Sequence, residues 1–312
     1  MSVDPPEERE SPVTTENRAP IDVVPRRYGD ADLIGAANEI TAETVAAAAA
    51  LIRTGRRYAL GQVLEASSPA QMWRHWNHSL LTDRTTPARA FGSNVQTFVE
   101  ESVSGALHSG THLDGLGHIG IGEYAYGGRR WVDIIAADGL TELGIENVPP
   151  LVSRGVLLDI AALHGVDQLG AEYAITADDL QAASDRVGVS VGAGDILFIH
   201  TGWGVLWATD QETYAASEPG IDLSAARWCI ERRVTVIGAD NWAVEQVVRE
   251  PVADAESFSV HQETITRNGV YLLENARTEE LAADGVSEFF CVIAPVRLQG
   301  ASGSMVGPIA VV

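Results

Sequence analysis

Short apolar runs bounded by Gly, Pro and polar clusters predict strands over residues 58–64, 95–99, 155–158, 196–200, 235–239 and 289–294. Between them lie segments that begin with capping residues and read as helices. Thr41 ahead of the Ala-rich run 42–53, closed by Gly55, reads as one helix. Thr176-Ala-Asp-Asp179 resembles a capping box with Asp in the reaching position, and the helix it opens ends at Gly188. Segments 224–233 and 278–283 predict two more. Strands and helices are mixed throughout, at spacings too irregular for a (β/α)8 barrel or a regular doubly wound sheet. The first 30 residues carry Pro5, Pro6, Pro12, Pro20 and Pro25 among charged residues and read as a flexible arm. Residues 31–312 then read as one α/β domain.

Composition narrows the function classes. Hydrophobic residues make up 46% of the 312 and charged residues 21%, the profile of a globular chain. Basic residues number 21 against 43 acidic ones, a formal charge of −22, which argues against nucleic acid and against anionic membranes as partners. No run approaches the ~18 apolar residues of a membrane helix. The N-terminal stretch lacks the basic and apolar regions of a signal peptide, so a cytoplasmic location is the expectation. Cys229 and Cys291 form neither a disulfide framework nor a CxxC metal knuckle.

The chemistry concentrates in one place. Three of the eight histidines fall in His108-Ser-Gly-Thr-His112-Leu-Asp114-Gly-Leu-Gly-His118. Gly105, Gly110, Gly115 and Gly117 disfavour a helix here. In extended chain His112 and Asp114, two apart, share a face, and a turn at Ser109-Gly110 can bring His108 back beside them. Imidazole and carboxylate without thiolate suit Zn²⁺, Mn²⁺ or Fe²⁺ better than Mg²⁺ or Ca²⁺. A turn lined by backbone-bonded side chains would explain one such histidine; three with an aspartate at this density point to a metal.

These residues carry a resemblance. His-x-Gly-Thr-His-x-Asp-x-x-x-His resembles the core motif of the metal-dependent cyclase family, which contains the bacterial kynurenine formamidases and isatin hydrolase. His261 with Glu274, ahead of Asn275, resembles the family's second ligand block. The segment 194–203, with its Thr-Gly end, resembles its central strand, and Ala294-Pro295 with Gly303-Ser304 its C-terminal strand and closing loop. Leu116 stands where the family's common form has proline, and Thr264-Ile265 where it has Leu-Leu. The resemblance implies a swivelling β/β/α domain with a mixed sheet and partly open barrel, in a homodimer or homotetramer. It implies that His108, His112 and Asp114 ligate a first metal, that Asp114 bridges to a second held by His261 and Glu274, and that His118 moves the proton. It also makes Trp73 the nearest match to a substrate-contacting tryptophan.

The residues support that chemistry independently. A divalent ion lowers the pKa of its water from 15.7 to about 7, and His118, four positions past Asp114, has a side chain whose ordinary pKa of about 6.5 suits a proton shuttle. Thr111 and Ser109 read as supports for ligand orientation. Trp73 and Trp76 read either as a wall for a flat small-molecule substrate or as ordinary packing. His200 is expected at a core or pocket edge and His164 in a solvated turn. Trp203 and Trp207 read as pocket wall or strand-to-helix packing, and Asp240 and Glu245 as supports of the site or helix caps. The leading expectation is a metal-dependent hydrolase acting on an amide, lactam, formamide or cyclic ester, with Zn²⁺ or Mn²⁺, one ion or two. The rivals are an Fe(II) oxygenase using His112, Asp114 and His261, which would need a double-stranded β-helix, and a cyclase running ring closure.

Overall fold

The computed structural model describes residues 20, 22–71, 74–81, 92–249 and 256–312. The strands of three or more residues are β1 Arg57–Ala59, β2 Trp76–Leu80, β3 Glu101–Gly105, β4 His112–Asp114, β5 Leu151–Asp159, β6 Ile196–His200, β7 Val236–Ala239, β8 Tyr271–Glu274, β9 Glu288–Ile293, β10 Gly303–Met305 and β11 Ile309–Val311. Nine of them form one curled mixed sheet in the order β1-β11-β9-β5-β6-β7-β8-β4-β10. The most uniformly apolar runs become its centre. Strands β5, β6, β7 and β8 pair in parallel, and β6 and β7 are buried at every position. That is the pattern of parallel strands covered on both faces. The flanking pairs, β4 against β8 and β10 on one side and β9 against β5 and β11 on the other, are antiparallel.

Four helices matter below: α1 Ala42–Ala49, α2 Ala177–Val187, α3 Leu223–Glu231 and α4 Glu279–Ala283. At α2 the capping box forms as its sequence predicts, with Asp179 N donating to Thr176 Oγ1 and Thr176 N donating to Asp179 Oδ2, and Gly188 closes the helix at φ +68°. Helix α1 lies against β5 and β9, and α2 against α3 and β5. Ahead of α1, Val24 is buried and Tyr28 Oη donates to Glu39 Oε1, so residues 22–30 lie on the body. Among the described residues no helix is long and apolar enough to cross a membrane.

Three expectations need correction. The helix expected over 42–53 stops at Ala49: Leu51 and Ile52 N–H reach back only three residues, to Ala48 and Ala49, so the helix tightens and ends six residues before Gly55. The strand expected over 58–64 covers only β1, because past Ala59 the next residue opposite is Pro308, which accepts from Leu60 N but has no N–H to continue the ladder. The run 95–99 is not a strand. Val95 sits at φ +59°, and Phe98 and Val99 are exposed; the strand follows as the polar β3, paired with β2 in a two-stranded ribbon. There, apolar residues mark surface rather than core.

Candidate metal centre

Three segments distant in sequence deliver the site. In β4 the pleat places His112 and Asp114 on one face. Just ahead, Gly110 takes φ +62°, and the turn returns His108 so that its Nδ1 lies 2.6 Å from Asp114 Oδ1. Strand β8 runs antiparallel with Glu274 opposite His112, which adds a carboxylate to the same face, Oε2 3.1 Å from His112 Nε2. His261 ends a short helix, Ser259–His261, that runs on into a π-helical turn, Gln262–Thr266. Its Nε2 lies 3.3 Å from Glu274 Oε1 and 3.6 Å from Asp114 Oδ2. His118 stacks on His108 with ring centroids 3.8 Å apart and holds Nε2 3.8 Å from Asp114 Oδ2. All six residues expected at the centre therefore meet.

Three of the four imidazoles are aimed by a fixed partner. His112 Nδ1 donates to the Gly110 carbonyl oxygen at 2.8 Å, which turns Nε2 toward Asp114 and Glu274. Glu245 accepts from His261 Nδ1 and from the backbone N–H of Val260 and His261, and so turns His261 Nε2 inward. His108 Nε2 meets Ser302 Oγ at 3.0 Å. Thr111 Oγ1 donates to the Asn275 carbonyl oxygen and accepts from Gln62 N, tying the β4 turn to the end of β8. Asn275, at φ +56°, donates its amide to the Gly110 carbonyl oxygen and accepts from Tyr214 Oη. The Ser109 hydroxyl is buried without a hydrogen-bond partner.

The electrostatics ask for a cation. Burial alone would push the Asp114 and Glu274 carboxyls up; the surrounding imidazoles instead hold both below their ordinary values, Asp114 well below. Burial opposes charge on His112, yet Glu274 and Asp114 raise it to about 10, and the same contest raises His261 well above 6.5. His118 goes the other way, lowered to about 4 by burial, with Asp114 opposing and His108 and His261 adding repulsion. His112 Nε2 and Asp114 Oδ2 are both buried without a hydrogen-bond partner. Once the imidazoles give up their protons, the lone pairs of nitrogen and oxygen facing one another in this buried space fit a divalent cation at their centre. Two ligand sets lie close enough for one, His108 with Asp114 and His118, and His112 with Asp114 and Glu274, and Asp114 belongs to both.

Two small cavities open onto this cluster, one reaching His108 and Ser109, the other His118 and His261. Gln71, Arg74, Trp242 and Glu274 line both. Trp73 lies outside the described residues. Trp76 starts β2, half-buried, and is not among the described residues lining either cavity. Trp203 and Trp207 pack with Tyr214 in a separate apolar cluster. His200 pairs with Asp240 and Thr278, and His164 lies at the surface against Asp179. Sequence reasoning missed Arg74, Trp242, Phe258 and Ser302. The available signals were position alone: Arg74 follows the singled-out Trp73, and Trp242 stands between Asp240 and Glu245.

A family model described as "Putative cyclase" matches residues 58–246. No curated protein matches the chain. A crystal structure titled a novel cyclase is 32% identical, covers 92% of this chain and 98% of its own, and superposes with a TM-score of 0.83. Isatin hydrolase A from Ralstonia solanacearum is 21% identical over 82% of this chain and 91% of its own, with a TM-score of 0.60. An isatin hydrolase bound to the product analogue thioisatinate is 17% identical over 88% of this chain and 99% of its own, with a TM-score of 0.61. These last two likenesses are of fold.

Proposed function

Because this chain belongs to the cyclase family whose model spans more than half of it, we propose that it is a metal-dependent hydrolase of small amides, lactams, formamides or cyclic esters. The observation that carries the reading is the buried pair of unpartnered ligand atoms, His112 Nε2 and Asp114 Oδ2, inside a ring of imidazoles and carboxylates. His108, His112, Asp114, His261 and Glu274 would hold Zn²⁺ or Mn²⁺, as one ion or as two sharing Asp114. When bound, such an ion acidifies water and polarises a carbonyl. The similar folds of proteins named isatin hydrolases support the same class.

His118 is the residue placed to carry the proton. Its side chain is 21% accessible, against 11% for His108 and 1–3% for His112 and His261, and it lines the cavity that also reaches His261. Held neutral by burial, it accepts a proton from the attacking water and returns it to the leaving nitrogen or oxygen. Ring closure is the same chemistry reversed and uses the same residues. The Fe(II) oxygenase reading lacks its scaffold, since a sheet with four parallel central strands is not a double-stranded β-helix. The exposed Leu80 and Val103 of the β2–β3 ribbon support a homo-oligomer.

The test compares two variants. His118→Ala keeps bound metal and loses about 10²- to 10⁴-fold in kcat, whereas Asp114→Ala loses the metal itself. Elemental analysis of protein purified without chelators, with a screen of formamides, lactams and esters, reads both. Wild-type turnover in His118→Ala would remove its assigned role.

A further inference from the structure

Arg74 is the single Arg or Lys among the described residues lining the two cavities. In a chain of 43 acidic and 21 basic residues its guanidinium meets no carboxylate among the described residues. Across the same cavities stands Trp242, whose indole Nε1 is buried and has no hydrogen-bond acceptor. A buried donor without an acceptor is destabilising, and a bound ligand that supplies the acceptor offsets that cost. Nor is Trp242 loosely held. Its backbone N–H and that of Ala243 both donate to the buried Glu218 carboxylate, at 2.6 and 2.7 Å. Of the other two residues lining both cavities, Gln71 already donates its amide to the Ala215 carbonyl oxygen, and the Glu274 carboxylate is engaged by His112 and His261. Arg74 and Trp242, whose side-chain donors have no acceptor among the described residues, thus line the same cavity as His118 and His261, with Ile119 and Phe258 as apolar neighbours.

We propose that Arg74 and the Trp242 indole N–H anchor an anionic oxygen of the substrate. The substrate class is then small amides or esters that carry a carboxylate beside the scissile group, their apolar body set against Ile119 and Phe258. Arg74 supplies charge and a planar fork suited to a carboxylate, and Trp242 a fixed single donor. The claim about cleavage rests on the hydrolase reading; the anchor itself is a binding claim.

Binding therefore tests it, on the metal-loaded protein at pH 7, with benzoate and its neutral isostere benzamide as calorimetric probes. Wild type binds benzoate at least tenfold more tightly than benzamide. Arg74→Gln weakens benzoate at least tenfold and leaves benzamide and metal content unchanged; Arg74→Lys recovers part of the loss, and Trp242→Phe weakens benzoate about fivefold. Equal affinity for the two probes in wild type, or unchanged benzoate affinity in Arg74→Gln, would overturn the anchor. Since metal content and His118→Ala turnover are separate measurements, failure of the anchor leaves the hydrolase reading standing. An intact benzoate pattern in a protein without hydrolase activity does the reverse.

Discussion

At Gly303 a methyl group would sit 2.5 Å from His108 Cε1, 3.0 Å from its Nε2 and 2.8 Å from the Leu113 carbonyl oxygen. Gly303 lies opposite Asp114 across the β10–β4 pair, so the missing side chain is the space His108 occupies. Gly303→Ala is expected to push His108 off Asp114, cost about 1–3 kcal/mol as overpacking does, and lower metal affinity. Urea denaturation with metal analysis reads it, and His108→Ala in the same background should remove much of the stability cost. Wild-type metal content and stability in Gly303→Ala would refute the crowding. The contrast between residues read and unread in sequence follows from range. His108, His112 and Asp114 were legible because a two-residue period and a Gly turn place them locally. Gly303, Ser302, Arg74 and Trp242 act through contacts made by strands and loops distant in sequence, and no local period marks them.

The parallel strands end in polar residues: Asp159 on β5, His200 on β6, Asp240 just past β7 and Glu274 on β8. Carboxyl ends of such strands are where open α/β sheets place chemistry. Only part of this edge faces the cluster of His108, His112, Asp114, His118, His261 and Glu274. His200 Nδ1 lies 2.7 Å from Thr278 Oγ1 and 3.2 Å from Asp240 Oδ2, and Asp240 also accepts from Thr201 and Gly202. Burial works against charge on His200, but Asp240, helped by Asp159 and Glu279, raises it to about 8. A folded value above the unfolded 6.5 means that the stabilisation is full below pH 6.5 and disappears as pH rises through about 8. The pair is therefore expected to contribute about 2 kcal/mol at pH 6 that is gone by pH 9. Denaturation of wild type and His200→Gln across that range checks it: the variant's fall in stability should be smaller by that amount, and parallel curves would refute the pairing. At this scale the sequence was informative where strands are fully buried, as in β6. It misled where an apolar run lies exposed, as at 95–99, because hydrophobicity reports burial only when another element covers it.

Across the whole chain, the cluster ties together β4, β8 and the turn at His261, with His112 and Glu274 162 residues apart in sequence. No preformed site survives in the unfolded chain, so an ion held here stabilises the global fold by mass action. At one hundred times its Kd that is about 2.7 kcal/mol. At ~2.1 cal/mol/K per residue it amounts to a rise in Tm of about 4 °C for a chain of this length. The −22 charge of the chain also draws cations to its surface without any site, and that general effect has to be separated from the specific one. Asp114→Ala separates them, since it removes one negative charge of 43 but removes the carboxylate common to both candidate ligand sets. Thermal melts of chelated protein titrated with Zn²⁺ or Mn²⁺ should rise with the logarithm of metal concentration in wild type and stay flat in the variant. The rise should shrink at pH 5, where protons compete for His112 and His261, both of which favour their charged forms beside Asp114 and Glu274. Melts that coincide with and without metal, or that rise equally in Asp114→Ala, would mean that the six side chains converge for a reason other than holding an ion.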